Sequence, residues 1–297
     1  MREERTIQKE AFLSGVGIHT GKVVDVLLKP SLSGGIVFKR TDLDDLGLKL
    51  NPQKIETAHS SLLVHNGYKI YTIEHLLAAL YIFGIDNLII ELNGEEIPIL
   101  DGSAAPFVEA ILKAGIKLLS SKKKSIKIIK PFIISEDESY IAFYPDSEFK
   151  ISYSIEFDHP VIQTQDLSLS INVRNFVTEI APARTFGFLK DVAKLRSNGL
   201  GLGGSLENTI VLGEDSIING SLRYPDEFVR HKILDLVGDL SLLGYPLIGH
   251  FKAHKAGHLL HLKAVQFLLN SPEFWEYEEK DISFRLSLLA VNNKKIS

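Results

Sequence analysis

The period of apolar and polar positions changes several times along the chain, and each change marks an element. Phe149, Ile151, Tyr153, Ile155 and Phe157 alternate strictly, the pattern of a half-buried antiparallel strand. Residues 72–83 repeat at helical spacing instead: Ile73, Leu76, Leu77 and Leu80 form one apolar face, and His75 lies with Ala78, Ala79 and Ile82 on a second. A helix apolar on two faces is buried on both sides. Further helices are predicted over 103–115, over 226–243 with Pro225 suited to its first turn, and over 257–270. Strands are predicted over 23–29 and 35–40, and over 61–64 and 68–71 as a hairpin across His65-Asn66-Gly67. A second hairpin is predicted from residues 86–92 to 97–100 across Asn93-Gly94.

The polar run Ser120-Ser121-Lys122-Lys123-Lys124-Ser125 separates two such sets and predicts a seam between domains 1–120 and 126–297. A length of 297 residues allows two units, each large enough for its own core. The expected fold class is α+β, two similar domains with a sheet layered against helices in each. The similar order of elements hints at duplication, although the spacings differ between halves.

Composition narrows the chemistry. A net charge of −4 gives no electrostatic case for nucleic acid or an anionic membrane as the main partner. The first ten residues carry six charges and no apolar run, and the apolar stretch 76–85 is too short to span a bilayer. The expectation is a soluble cytoplasmic protein without an integral membrane segment. With no cysteine and ten histidines, any metal must be held by nitrogen and oxygen.

Three segments could carry chemistry. In residues 228–240, Val229, Ile233, Leu236 and Leu240 make a core stripe, while His231, Asp235 and Asp239 recur every four residues on another face. His and Asp at i and i+4 can bind one metal, with Asp239 orienting a ligand or a neighbouring imidazole; the alternative is a solvated polar face. In Tyr71-Thr72-Ile73-Glu74-His75, a carboxylate sits beside a histidine on a buried helix. A core histidine would need no such neighbour, whereas a metal-activated water would account for both, with Glu74 as general base. Around His250, His254, His258 and His261, Gly257 predicts that the helix starts after His254, which argues against a His254–His258 metal pair. His258 at a helix start is then a candidate acid or oxyanion stabiliser, or a surface cap. The run Gly199-Leu200-Gly201-Leu202-Gly203-Gly204 fits G-x-G-x-x-G, but it follows a helical pattern rather than a strand, so a flexible loop is expected instead of a nicotinamide-nucleotide site.

At these residues the sequence resembles the UDP-3-O-acyl-N-acetylglucosamine deacetylases, zinc enzymes of the committed step of lipid A synthesis. The resemblance runs through residues 15–21, 72–80, 99–104, Ala183-Arg184-Thr185-Phe186-Gly187-Phe188, the glycine loop with Ser205-Leu206-Glu207-Asn208, the His231 helix and Lys255-Ala256-Gly257-His258. It implies two α+β domains with the active site at their interface. It further implies Zn²⁺ on His75, His231 and Asp235, Glu74 as general base, His258 as acid held by Asp239, and a Thr185 hydroxyl donating to the oxyanion. Lys232 and Phe186 would line the substrate site, and a passage for the acyl chain would lie within residues 188–211, with Val192, Leu195, Leu200 and Leu202 as candidates by position. The implied substrate is UDP-3-O-acyl-N-acetylglucosamine and the implied state a monomer. The last motif departs from many members of the family, which have two glycines before the histidine. A metal-free two-domain binding or scaffold protein is the competing reading of the same His and Asp residues.

Overall fold

The structure is a computed structural model that describes residues 1–278 apart from Asp45 and Ala58. The chain begins with β1 (Arg2–Ile7), β2 (Ala11–Val16), β3 (Val23–Pro30), β4 (Ile36–Arg40) and β5 (Leu46–Lys49). A small three-stranded sheet follows, β6 (Ile55–Thr57), β7 (Ser61–His65) and β8 (Tyr68–Ile70), then α1 (Glu74–Phe83), β9 (Leu88–Leu92), α2 (Ala105–Ala114) and β10 (Ile116–Lys123). The second run comprises β11 (Ser125–Ile128), β12 (Phe132–Glu136), β13 (Ser139–Tyr144), β14 (Phe149–Phe157), β15 (Gln163–Ser170), a short α3 (Val173–Asn175), β16 (Phe186–Phe188), α4 (Leu189–Ser197) and β17 (Ile210–Leu212). It ends in α5 (Glu227–Leu240), β18 (Leu247–His254), α6 (His258–Asn270) and β19 (Trp275–Glu278).

Two sheets share one strand order. In the first, β2, β3, β9, β4 and β5 lie side by side, with β9 and β4 parallel and the other pairs antiparallel. In the second, β12, β13, β18, β14 and β15 follow the same order, with β18 and β14 parallel and the other pairs antiparallel. α1 precedes the central strand β9 as α5 precedes β18, and α2 and α6 follow those strands. The unequal spacings noted in the sequence come from what is inserted: β6–β8 before α1, and the longer segment holding α3, β16, α4 and β17 before α5.

One sequence expectation is corrected. Residues 97–100 do not pair with β9 across Asn93-Gly94; β9 finds its partners in β3 and β4, and Glu96 instead bridges to Tyr71. The polar run around Ser120–Lys123, for which no strand is predicted, forms the end of β10 and pairs antiparallel with β1 in a two-stranded ribbon. Among the described residues every sheet draws its strands from one side of Lys124. The predicted strand over 149–157 matches β14, and the helix expected over 226–243 ends as α5 with a tighter turn over Ser241–Leu243.

α1 and α5 meet back to back. Nine of the ten α1 residues are buried, as its apolar character on both faces requires. Gly238 makes the crossing possible: a Cβ there would lie 2.2 Å from the carbonyl oxygen of Glu74, a distance no side chain can occupy. No helix among the described residues is long and apolar enough to cross a membrane.

Candidate active site

The first turn of α1 and the middle of α5 converge on one buried point. Thr72 turns the chain into α1 with a φ of 59°, a left-handed conformation that is strained for a β-branched residue, and its hydroxyl donates to Glu96 Oε1 at 2.9 Å. Glu74 and His75 follow at once, each 3% exposed. On α5 the four-residue spacing sets His231, Asp235 and Asp239 along one face, all buried.

His231 Nε2 lies 3.4 Å from Asp235 Oδ1, and His75 Nε2 lies 3.7 Å from the same oxygen. The two imidazoles stand edge to face with centroids 5.0 Å apart. Three donor atoms thus converge within 4.8 Å of one another, at separations too long for hydrogen bonds. Ligands at tetrahedral zinc-like distances sit about 3.3 Å apart, so the donor set has the spacing and the nitrogen–oxygen chemistry to hold a metal ion. Its surroundings agree. His231 Nδ1 donates to the Ala183 carbonyl at 3.0 Å, which leaves Nε2 with its lone pair free, and Lys232 Nζ donates to Asp235 Oδ2 at 2.8 Å, which leaves Oδ1 as the ligating oxygen. Burial, opposed only in part by Asp235, lowers the His231 pKa to about 4, so the ring is neutral. Burial works against the charge on Asp235, but Lys232 and His231 outweigh it and hold the carboxyl well below its usual range.

Beside the donor set stands an acid–base pair. Glu74 Oε1 lies 3.8 Å from His258 Nε2, and its other oxygen accepts the Ser61 backbone N–H at 3.1 Å. Burial raises Glu74 to about 7 against the pull of His258 and His75. His258 is the first residue of α6, with Nδ1 2.7 Å from Asp239 Oδ2. Burial opposes its charge, yet Asp239, Asp235 and Glu74 together raise it to about 9. Asp239 is saturated: Oδ2 also binds His261 Nδ1 at 2.7 Å, and Oδ1 accepts from Ser61 Oγ at 2.5 Å. Asp239, His258 and His261 therefore form a hydrogen-bonded cluster rather than a second open donor set. Lys255, just upstream, takes a φ of 49°, the left-handed backbone that glycine adopts without cost, and its Nζ pairs with Glu138 at 2.8 Å.

A cavity of about 550 Å³ opens onto Glu74 and His75. Thr185 and Phe186 line it, and Phe186 also packs edge-on against His231. Val192 and Leu195 of α4 are on its wall; Leu200 and Leu202 are not in the lining, and Leu202 is exposed and packs over Gly21. Lys232 lies outside the cavity lining, bound to Asp235. The glycine loop follows α4, and its Gly203 N–H donates to the Ile18 carbonyl, so no strand feeds it. His254 ends β18, away from the helix that starts at His258.

Sequence reasoning gave no role to Ser61, Ala183 or His261. His261 had a signal, one helical turn from His258 on α6; the other two act through backbone groups or a short hydroxyl and leave no spacing to read.

Fold and site define a class: a mixed α/β protein whose two central helices bury a His₂Asp donor set next to a carboxylate and an imidazole, the layout of a hydrolytic centre. The chain matches the family of UDP-3-O-acyl N-acetylglycosamine deacetylases over residues 4–270, and it belongs to that family. A protein of Thermodesulfovibrio yellowstonii named UDP-3-O-acyl-N-acetylglucosamine deacetylase is 47% identical over 290 residues, 97% of this chain and 99% of its own. Proteins of the same name from Myxococcus xanthus and Neisseria gonorrhoeae are 47% identical over 92% of this chain and 42% identical over 93% of it, with 88% and 93% of their own lengths covered.

Proposed function

We propose that this chain is a zinc-dependent deacetylase that hydrolyses the N-acetyl amide of UDP-3-O-(3-hydroxyacyl)-N-acetylglucosamine, releasing acetate in the committed step of lipid A synthesis. The observation that carries the reading is the meeting of His75 from α1 with His231 and Asp235 from α5, within reach of Glu74 and His258, in a member of this family. Zinc is the metal of choice for two imidazoles and one carboxylate, and a chain without cysteine offers no sulfur ligand. The enzyme works in the cytoplasm as a monomer, built from two domains, 1–120 and 126–297, with the site at their interface. The separation of every described sheet at Lys124 supports the division; residues 279–297 of the second domain lie outside the described residues.

Bound by the three ligands, zinc supplies a Lewis acid for the acetyl carbonyl and lowers the pKa of a water. Glu74, ionised, takes the proton of the attacking water, and the Ser61 N–H keeps its second oxygen in place. His258, kept charged by Asp239, donates from Nε2 to the leaving amine. The Thr185 hydroxyl donates to the oxygen on which charge develops. Phe186 bounds the sugar end of the substrate, and Val192 and Leu195 make the wall along which the acyl chain lies. Each methylene buried there contributes about 0.8 kcal/mol, roughly a fourfold preference.

The test is acetate release from UDP-3-O-acyl-N-acetylglucosamine with acyl chains of graded length, with and without a chelator. Release that is lost to the chelator, restored by zinc and graded by chain length supports the reading. A protein that takes up no zinc and releases no acetate after zinc is added is instead a metal-free binding or scaffold protein.

A further inference from the structure

At the first turn of α5 a carboxylate lies wholly inside the protein with both oxygens engaged. Glu227 is 0% exposed. Its Oε1 accepts from the Arg184 backbone N–H at 3.0 Å and from Arg184 Nε at 2.9 Å; Oε2 accepts from Arg184 Nη2 at 3.2 Å and from the Arg223 N–H at 2.6 Å. Desolvating such a group costs several kcal/mol, which a packed apolar residue would not incur, so stability alone is a weak reason for its presence.

One turn further along the same helix, His231 Nδ1 donates to the Ala183 carbonyl at 3.0 Å. That carbonyl and the Arg184 N–H belong to one peptide group, planar and rigid. α5 therefore grips a single peptide plane at both ends: Glu227 holds its N–H, and His231 is held by its C=O. In the next peptide the Thr185 N–H donates to the Gly102 carbonyl at 2.8 Å, which anchors the chain beside that plane. Hydrogen bonds in series polarise one another, and a carboxylate on the N–H makes the carbonyl a stronger acceptor. A stronger acceptor on Nδ1–H orients the imidazole and raises the basicity of Nε2, the atom that faces Asp235 and His75.

We propose that Glu227 is a positioning residue for the metal centre, acting on His231 through the Ala183–Arg184 peptide as a carboxylate–peptide–imidazole relay. The proposal rests on the deacetylase reading for its metal. Its effect is on the ligand, and it extends to Thr185, the next residue along the gripped segment.

The test compares Glu227→Gln with Asp226→Asn. Asp226 is the neighbouring residue, its carboxylate paired with Arg230 at 2.6 Å at the same end of the helix, and it does not touch the peptide. Zinc affinity is measured by competition with a chromophoric chelator, and the melting temperature is measured on metal-free protein. The relay predicts that E227Q binds zinc about 10–100-fold more weakly, the range for removal of a group behind a ligating histidine, while D226N binds as wild type does whatever its melting temperature. If E227Q does not accumulate folded, E227D carries the comparison, since one methylene less withdraws the carboxylate from the N–H: weaker zinc binding supports the relay and unchanged binding overturns it. Equal zinc affinity in E227Q and wild type likewise overturns it and leaves the deacetylase reading standing. A wild-type protein that takes up no zinc sinks that reading first.

Discussion

α1 and α5 hold equivalent places beside two sheets of the same strand order, yet they carry chemistry in different ways. α1 is apolar almost throughout and has its two candidate residues, Glu74 and His75, in its first turn. α5 has its three candidate groups, His231, Asp235 and Asp239, in its body, spaced four apart, each with a partner on another element: Ala183 for His231, His75 for Asp235, and Ser61, His258 and His261 for Asp239. Groups at a helix start are aimed by the turn before them, here the strained Thr72 and its bond to Glu96. Groups along a helix are placed by its period, and partners on other elements set their orientation and charge. A shared strand order thus leaves open which of two equivalent helices carries acid, base or ligand.

Separating the roles within α1 should give the largest effect. Glu74→Gln removes the proton acceptor and keeps His75, so kcat for acetate release should fall by about 10²–10⁴ while zinc content stays at the wild-type level. Zinc loss in E74Q would make Glu74 a ligand and erase the distinction between the two adjacent residues.

A smaller effect is expected from the α5 side. In the proposed mechanism Glu74 works ionised and His258 protonated, so kcat/KM should rise with pH through about 7 and fall through about 9. Asp239→Asn takes away the carboxylate that outweighs burial at His258, so the alkaline limb should move to lower pH and the acid limb should move little. An alkaline limb that does not move in D239N would remove Asp239 from its role behind His258.

The smallest effect concerns the crossing itself. Gly238→Ala forces α1 and α5 apart at the Glu74 carbonyl, 2.2 Å from the new Cβ. Overpacking of this kind costs about 1–3 kcal/mol, so the melting temperature should drop, and activity should drop with it because Glu74 and His75 ride on the displaced turn. G238A with wild-type stability would mean that the helices slide past each other without constraint.

The same contrast explains what could be read from the sequence. His231, Asp235 and Asp239 were legible because helical period is a local signal, and the buried Glu74-His75 pair stood out against an apolar helix. That His75 reaches Asp235 across 160 residues has no local signature; it entered through a family resemblance. Asn93-Gly94 misled because a turn-forming pair says nothing about partners, and β9 pairs better with β3 and β4 in the middle of a sheet. The strand β10 went unread because the lysines of an exposed ribbon carry no alternation of apolar and polar positions. The common strand order was hidden by insertions that change spacing without changing topology.

The central claim is that the two halves of the chain supply one metal centre, and zinc per chain in His75→Ala and His231→Ala measures it most directly. Wild type should hold about one zinc, and each substitution alone should abolish tight binding, since neither half keeps three ligands without the other. A full equivalent of zinc retained in H75A would place the ion on α5 alone and contradict the account.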